Sequence, residues 1–213
     1  ALRVAKRGGM TKMVSIVAIH NEMARTAPDL LAALYQPVVY SWRGNQRPGE
    51  PSEYEHPVFA MVDGRFVSKY SPSYIEWGYK MRGIEMPKAV AGGLAMINRL
   101  ANDPAYHLEK PFYPGDLQFA NNMLMLHART EFEDFDDPNE KRHLLRLWLA
   151  VPDSPRLPAS FSAFYGDVRA GAVRGGQWRL GPVFAGICVE SGPSGAVAAT
   201  LLSCINGQKG PVG

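Results

Sequence analysis

His127 closes the run Asn121-Asn122-Met123-Leu124-Met125-Leu126-His127-Ala128-Arg129-Thr130, and Arg142-His143-Leu144-Leu145-Arg146-Leu147-Trp148-Leu149 follows it after an acidic stretch. A neutral imidazole is a metal ligand, and a guanidinium meets a carboxylate with two parallel hydrogen bonds. In the second segment Arg142, Leu144, Arg146 and Trp148 alternate with His143, Leu145, Leu147 and Leu149. Read as a strand, this period of two puts both arginines on one face, about 13 Å apart, with His143 on the other. An arginine facing the inside of a sheet needs an anion, because an unpaired buried charge is costly. A histidine and a carboxylate-binding arginine on neighbouring strands point to a metal that holds a carboxylate-bearing co-substrate.

The remaining histidines carry less. His20-Asn21-Glu22 has the letters of a two-donor motif, but it lies in a stretch read as helical. Residues two apart on a helix point about 200° apart, which is the wrong geometry for gripping one ion. His56, His107 and His143 are read as having no acid partner at a useful spacing.

Several elements must position these groups. Residues 12–36 read as mostly helical, with Leu30, Leu31 and Leu34 on an apolar face and Thr26 capping a second start at Pro28. Residues 37–42 form a strand and 43–55 a loop. Residues 57–70 form a hairpin about Asp63-Gly64, a dipeptide suited to the tight turns of antiparallel strands. Val90, Leu94, Ile97 and Ala101 fall at helical spacing within 87–102. A strand over 107–112, a turn at Pro114-Gly115-Asp116 and a strand ending near His127 complete the approach to the site. Residues 131–141 read as an exposed acidic loop, and the prolines at 152, 155 and 158 argue against regular structure there.

The 213 residues suffice for one domain with a core, and 46% hydrophobic with 20% charged residues is a globular balance. A net charge of +3, without a basic run, argues against a nucleic-acid partner. The longest uncharged apolar run, 195–205, is too short to span a bilayer, so no membrane partner is expected. Neither a signal-type apolar stretch at the start nor a metal-type cysteine spacing is present, which gives a cytoplasmic expectation. Residues 1–176 read as the domain. Residues 177–213 are small, Gly-rich and apolar, and read as a poorly ordered or foreign tail.

Pro114-Gly115-Asp116, Asn121-Asn122, Leu126-His127-Ala128-Arg129-Thr130 and the Arg142–Leu149 segment together resemble the C-terminal half of the taurine dioxygenase (TauD/TfdA) family. The likeness continues through Gly8-Gly9-Met10-Thr11, Val17-Ala18-Ile19-His20-Asn21-Glu22, Pro28-Asp29-Leu30-Leu31, Pro57-Val58-Phe59 and Asp63-Gly64-Arg65, and covers residues 1–176. The resemblance implies a mainly β fold with flanking helices, a double-stranded β-helix or jelly roll, incomplete at its N-terminus. It also implies Fe(II) as cofactor, 2-oxoglutarate as co-substrate, and a dioxygenase (hydroxylase) acting on a small, often anionic, organic molecule. By residue, it makes His127 an iron ligand and Arg142 the group that binds the distal carboxylate of 2-oxoglutarate. Arg146 falls near the other carboxylate or near the substrate's anionic group. Thr11 offers its hydroxyl to the distal carboxylate, although Met10 stands where the family has an acid. Counting back from Thr11 puts the family's His-x-Asp/Glu pair before Ala1, so the 213 residues alone are expected to be inactive. The alternative is a truncated or degenerate non-catalytic member. A ligand-binding jelly roll unrelated to oxygenases would leave Arg142 and Arg146 unexplained. Homo-oligomerisation is left open.

Overall fold

A computed structural model describes residues 1–46, 48–146 and 148–174, together with two strands at 186–189 and 197–200. In chain order, β1 (Arg7–Gly8) and β2 (Thr11–Ser15) lead into α1 (Ile16–Thr26) and α2 (Pro28–Leu34). β3 (Val38–Ser41), β4 (Glu53–His56), β5 (Phe59–Val62) and β6 (Arg65–Ser68) precede α3 (Pro72–Arg82) and α4 (Lys88–Ala101). β7 (His107–Lys110), β8 (Met125–Arg129), β9 (Phe132–Glu133), β10 (Trp148–Ala150), α5 (Ser162–Tyr165), β11 (Gly186–Val189) and β12 (Val197–Thr200) follow. The strands pair antiparallel in small sheets: β7-β2-β8, β3-β4, β5-β6, β1-β9 and β10-β12-β11. Sheets with flanking helices match the expected class, but among the described residues these ladders do not join into one closed jelly roll. No helix among the described residues is long and apolar enough to cross a membrane. Most of 177–213 lies outside the described residues, as does Leu147.

Periodic apolar residues build the core. Ile16, Ile19 and Met23 on α1, Leu31 and Leu34 on α2, and Val90, Leu94, Ile97 and Leu100 on α4 are buried together with Val38, Val39 and Tyr40 of β3. The 3.6-residue period supplies one apolar face per helix, and the fully buried strand accepts them. Ser15 caps α1, its Oγ accepting from the Ala18 N–H at 3.3 Å. A second cluster, Ala60, Val62, Val67, Leu157 and Phe161, packs the 57–70 hairpin against the chain after β10. At that hairpin Asp63 and Gly64 have φ of 49° and 72°, the left-handed pair a two-residue turn requires.

Several expectations are corrected. Residues 11–15 form a strand, not helix, because Thr11–Ser15 is bonded on both edges by β7 and β8. Thr26 does not cap α2. Its hydroxyl donates back to the Glu22 carbonyl at 2.7 Å, and Ala27 begins α2 without a side-chain cap. The 43–55 loop ends early, since Glu53 already pairs with Ser41. Helix α3 was not anticipated. The continuous strand over 142–149 is also absent: Arg3↔His143 is an isolated bridge, and regular pairing begins only at Trp148. The Asp134 carboxylate takes the Arg142 N–H at 2.8 Å, and the Leu2 and Arg3 N–H groups both donate to the His143 carbonyl. Local partners therefore satisfy the backbone that a ladder would have used.

A Cβ on Gly78 of α3 would lie 2.6 Å from the Val39 carbonyl oxygen and 2.8 Å from the Tyr40 carbonyl carbon. Alanine normally favours a helix over glycine by about 1 kcal/mol. Here overpacking dominates, and Gly78→Ala should destabilise by about 1–3 kcal/mol in denaturant unfolding. His56 is fully buried, stacks 4.1 Å from Tyr40, and donates through Nδ1 to the Pro57 carbonyl at 2.7 Å. Burial lowers its pKa from 6.5 to about 3. The unfolded chain binds a proton below 6.5 that the folded chain refuses, so stability is full above that pH and falls as pH drops toward 3. Urea unfolding should show a loss of about 2 kcal/mol between pH 6.5 and 5, and His56→Phe should flatten that slope.

Candidate functional site

The Gly8-Gly9 turn sets up the arginine side of the site. Gly8 and Gly9 have φ of 68° and 70°. A Cβ on Gly8 would collide with the Glu131 carbonyl, and one on Gly9 would lie 3.2 Å from Arg142 Nε. Glycine is therefore required both for the backbone conformation and for the close approach of β1 to β9 and Arg142. The turn is locked to the end of β8: Met10 N–H donates to Thr130 Oγ1 at 3.0 Å and Thr130 N–H to the Met10 carbonyl at 3.0 Å.

Beside this turn two guanidiniums share one aromatic ring. The Arg129 guanidinium carbon lies 4.1 Å from the Phe132 ring centroid, and that of Arg142 lies 5.4 Å from it. Among the described residues neither side chain forms a salt bridge. Burial, and then the charge of Arg129, pushes the Arg142 guanidinium below its ordinary value, while Asp134 pulls the other way. Two close guanidiniums, neither in a salt bridge among the described residues although Asp134 acts on Arg142, have the donor chemistry to hold an anion. Sequence reasoning singled out Arg142 and missed Arg129 and Phe132. β8 and β9 continue one antiparallel register against β2 and β1, and spacing could not reveal the cluster because Arg142 meets the Phe132 ring only through the fold.

The sheet register places the other groups. Thr11 faces Arg129 across β2–β8, and Met13 faces His127. Residues directly opposite, and residues two apart, share a face, so Thr11, Met13, His127 and Arg129 lie on one side of the sheet. Thr11 is buried, and its hydroxyl donates to Gln118 Oε1 at 2.9 Å. His127 opens onto a cavity of about 440 Å³ that Arg146 also lines. Burial, and then the Arg146 charge, lowers the His127 pKa and favours the neutral, metal-binding imidazole. The structure thus brings His127 together with Arg146 at the cavity and sets Thr11 on the same sheet as His127, while Arg146 lies outside the strands and Arg142 sits by the Gly-Gly turn. Asn122 lines the cavity, whereas Asn121 caps its own turn, accepting from the Met123 N–H at 3.0 Å.

The remaining candidates resolve differently. His20 Nε2 pairs with the Tyr35 hydroxyl at 2.8 Å among Phe59 and Phe66, and Glu22 pairs with Arg25, so these two do not converge. His107 does have an acid at useful spacing: Glu109 shares its face of β7, with Nε2 and Oε2 3.8 Å apart. His107 is opposite Val14 while His127 is opposite Met13, so the two residues alternate to opposite faces of the sheet, although both border the same cavity. Glu109 is also paired with Lys12 at 3.3 Å. A facial iron site takes two histidines and a carboxylate. Among the described residues no three His, Cys, Asp or Glu side chains are arranged to hold a metal ion, so His127 stands alone and does not complete such a site.

Comparison with known proteins gives the lineage. The chain is 30% identical over 174 residues to "FR-33289 synthase" of Streptomyces rubellomurinus, covering 80% of this chain and 51% of that protein. It is 31% identical over 150 residues to "Taurine hydroxylase-like protein SAT17" of Stachybotrys chartarum, covering 68% and 37%. The chain therefore spans about half the length, or less, of these curated relatives. Residues 1–148, which hold the Gly-Gly turn, His127, Arg142 and Arg146, match the family model "Taurine catabolism dioxygenase TauD, TfdA family", and the chain belongs to that family.

Proposed function

We propose that this chain supplies the carboxylate-binding side of an Fe(II)- and 2-oxoglutarate-dependent oxygenase that hydroxylates a small organic substrate within a jelly-roll fold. Family membership makes oxygenase chemistry the first reading. The observation that carries the assignment to residues is Arg142, a guanidinium stacked on Phe132 against Gly9 and paired with no carboxylate among the described residues. Arg142, helped by Arg129, takes the distal carboxylate of 2-oxoglutarate, and Thr11 turns its hydroxyl from Gln118 toward it. His127 is one metal ligand, and Arg146 holds an anionic group in the cavity. The described residues supply one of three iron donors, so the other two belong to residues outside the described set. The partners in this reading are small molecules in the cytoplasm, without nucleic acid or membrane.

A second reading has its own observation. His127 stands without two companion donors among the described residues, which favours a family member that binds 2-oxoglutarate without turnover. Succinate formation with Fe(II) and O2 supports the oxygenase. Retained 2-oxoglutarate binding without succinate supports the second reading.

Arg142→Ala should weaken 2-oxoglutarate binding about ten- to a hundredfold, the loss of a charge-assisted pair, and leave Fe(II) binding nearly unchanged. Calorimetric titration with each ligand checks this, and equal effects on both would count against the clamp. His127→Ala should show the reverse pattern.

A further inference from the structure

The cavity beside His127 is lined by Lys12, Lys69 and Arg146, and no aspartate or glutamate among the described residues lines it. Lys12 is neutralised by Glu109. Lys69 and Arg146 form no salt bridge among the described residues. Lys69 is held in place rather than left to solvent. It follows β6 directly, its N–H donates to the Val58 carbonyl at 2.9 Å, and its own carbonyl accepts from the Tyr40 hydroxyl at 2.8 Å. Its ammonium lies 3.8 Å from the Phe164 ring centroid and 6.0 Å from that of Tyr40. The aromatic faces compensate the charge only in part, because a cation–π contact is weaker than a desolvated ion pair. Asn98, Asn102 and Ser71 add neutral hydrogen-bonding groups to the wall.

We propose that Lys69 is a substrate-recognition residue, binding together with Arg146 the oxyanion head of a small organic substrate in the cavity next to His127. The inference deepens the oxygenase reading and rests on it for the identity of the cavity as the substrate chamber. Lys69 carries the specificity for charge. A strand-end backbone fixed by two hydrogen bonds and an ammonium seated over the Phe164 ring preorganise the charge, so little side-chain freedom is lost when an anion arrives. Burial lowers the Lys69 pKa to about 8, as expected for an ammonium that lacks its anion. The chemistry recognised is an organic molecule ending in phosphate, phosphonate, sulfonate or carboxylate, and the probes below separate tetrahedral from planar heads.

The test uses the 213-residue chain with inorganic phosphate and acetate as probes, followed by 31P line broadening and by calorimetry. Phosphate or acetate should bind saturably, and Lys69→Met should weaken that binding at least about tenfold while 2-oxoglutarate affinity stays within about twofold. Lys69→Arg, which keeps the charge, should restore most of the binding. Three outcomes would overturn the assignment: neither probe binds the unaltered chain, Lys69→Met leaves probe binding intact, or Lys69→Met lowers 2-oxoglutarate affinity as strongly as probe affinity. If Lys69→Met fails to fold, Lys69→Gln takes its place: at least about tenfold weaker probe binding supports the proposal, and intact probe binding overturns it. The parent reading fails separately, by 2-oxoglutarate binding that ignores Arg142→Ala.

Discussion

Strand β2 is bonded along both edges, Thr11–Val14 to β7 and Thr11–Ser15 to β8. Almost everything else in the molecule depends on that double pairing. Its register fixes which side chains share a face, since a slip of one residue would exchange the two faces completely. At its end Ser15 caps α1, whose buried Ile16, Ile19 and Met23 enter the main core. At its start the Gly-Gly turn reaches Thr130, Glu131 and Arg142. One five-residue strand therefore connects hydrophobic core, imidazole and arginine cluster.

The electrostatics of the site are a study in missing anions. Several cations on the protein's outer faces are matched, as Arg7 with Glu133, Arg25 with Glu22, Arg156 with Asp63 and Arg169 with Asp167. Such exposed pairs contribute little to stability. Around the site Arg129, Arg142, Arg146 and Lys69 lean on aromatic rings or a cavity wall with no salt bridge among the described residues, and Lys69 and Arg142 do so with partial burial. Partly desolvated cations left without anions are unfavourable for folding and favourable for binding, because the ligand supplies the compensating charge. The site is thus built at some expense to the fold that carries it.

Periodicity made the cores legible before any coordinates. The α4 face and the Asp63-Gly64 hairpin lie where helical spacing and alternation put them, whereas the strand expected to end near His127 starts at Met125 and runs past it to Arg129. Boundaries were poorer wherever a partner strand or side chain decided them. Residues 11–15 carry no alternation strong enough to mark a strand, and pairing with β7 and β8 makes them one. The Arg142–Leu149 segment has the alternation of a strand, yet Asp134, Leu2 and Arg3 occupy the backbone groups at its start. Helix α3 has scattered apolar residues, and its buried Ile75, Gly78 and Tyr79 have meaning only against β3.

By itself the sequence determined the lineage and the identity of the chemical groups: an imidazole at 127, arginines at 142 and 146, and a hydroxyl at 11. Those follow from residue type and order, which folding does not change. Tertiary structure alone decided the company these groups keep. It set Arg129 and Phe132 beside Arg142, placed Lys69 over Phe164 in the wall of the cavity that His127 and Arg146 also line, and offset His107 from His127 by one step of register. The physical reason is that local periodicity encodes which face a side chain takes. Which remote face it then meets depends on strand pairing and loop return, and neither leaves a mark in spacing.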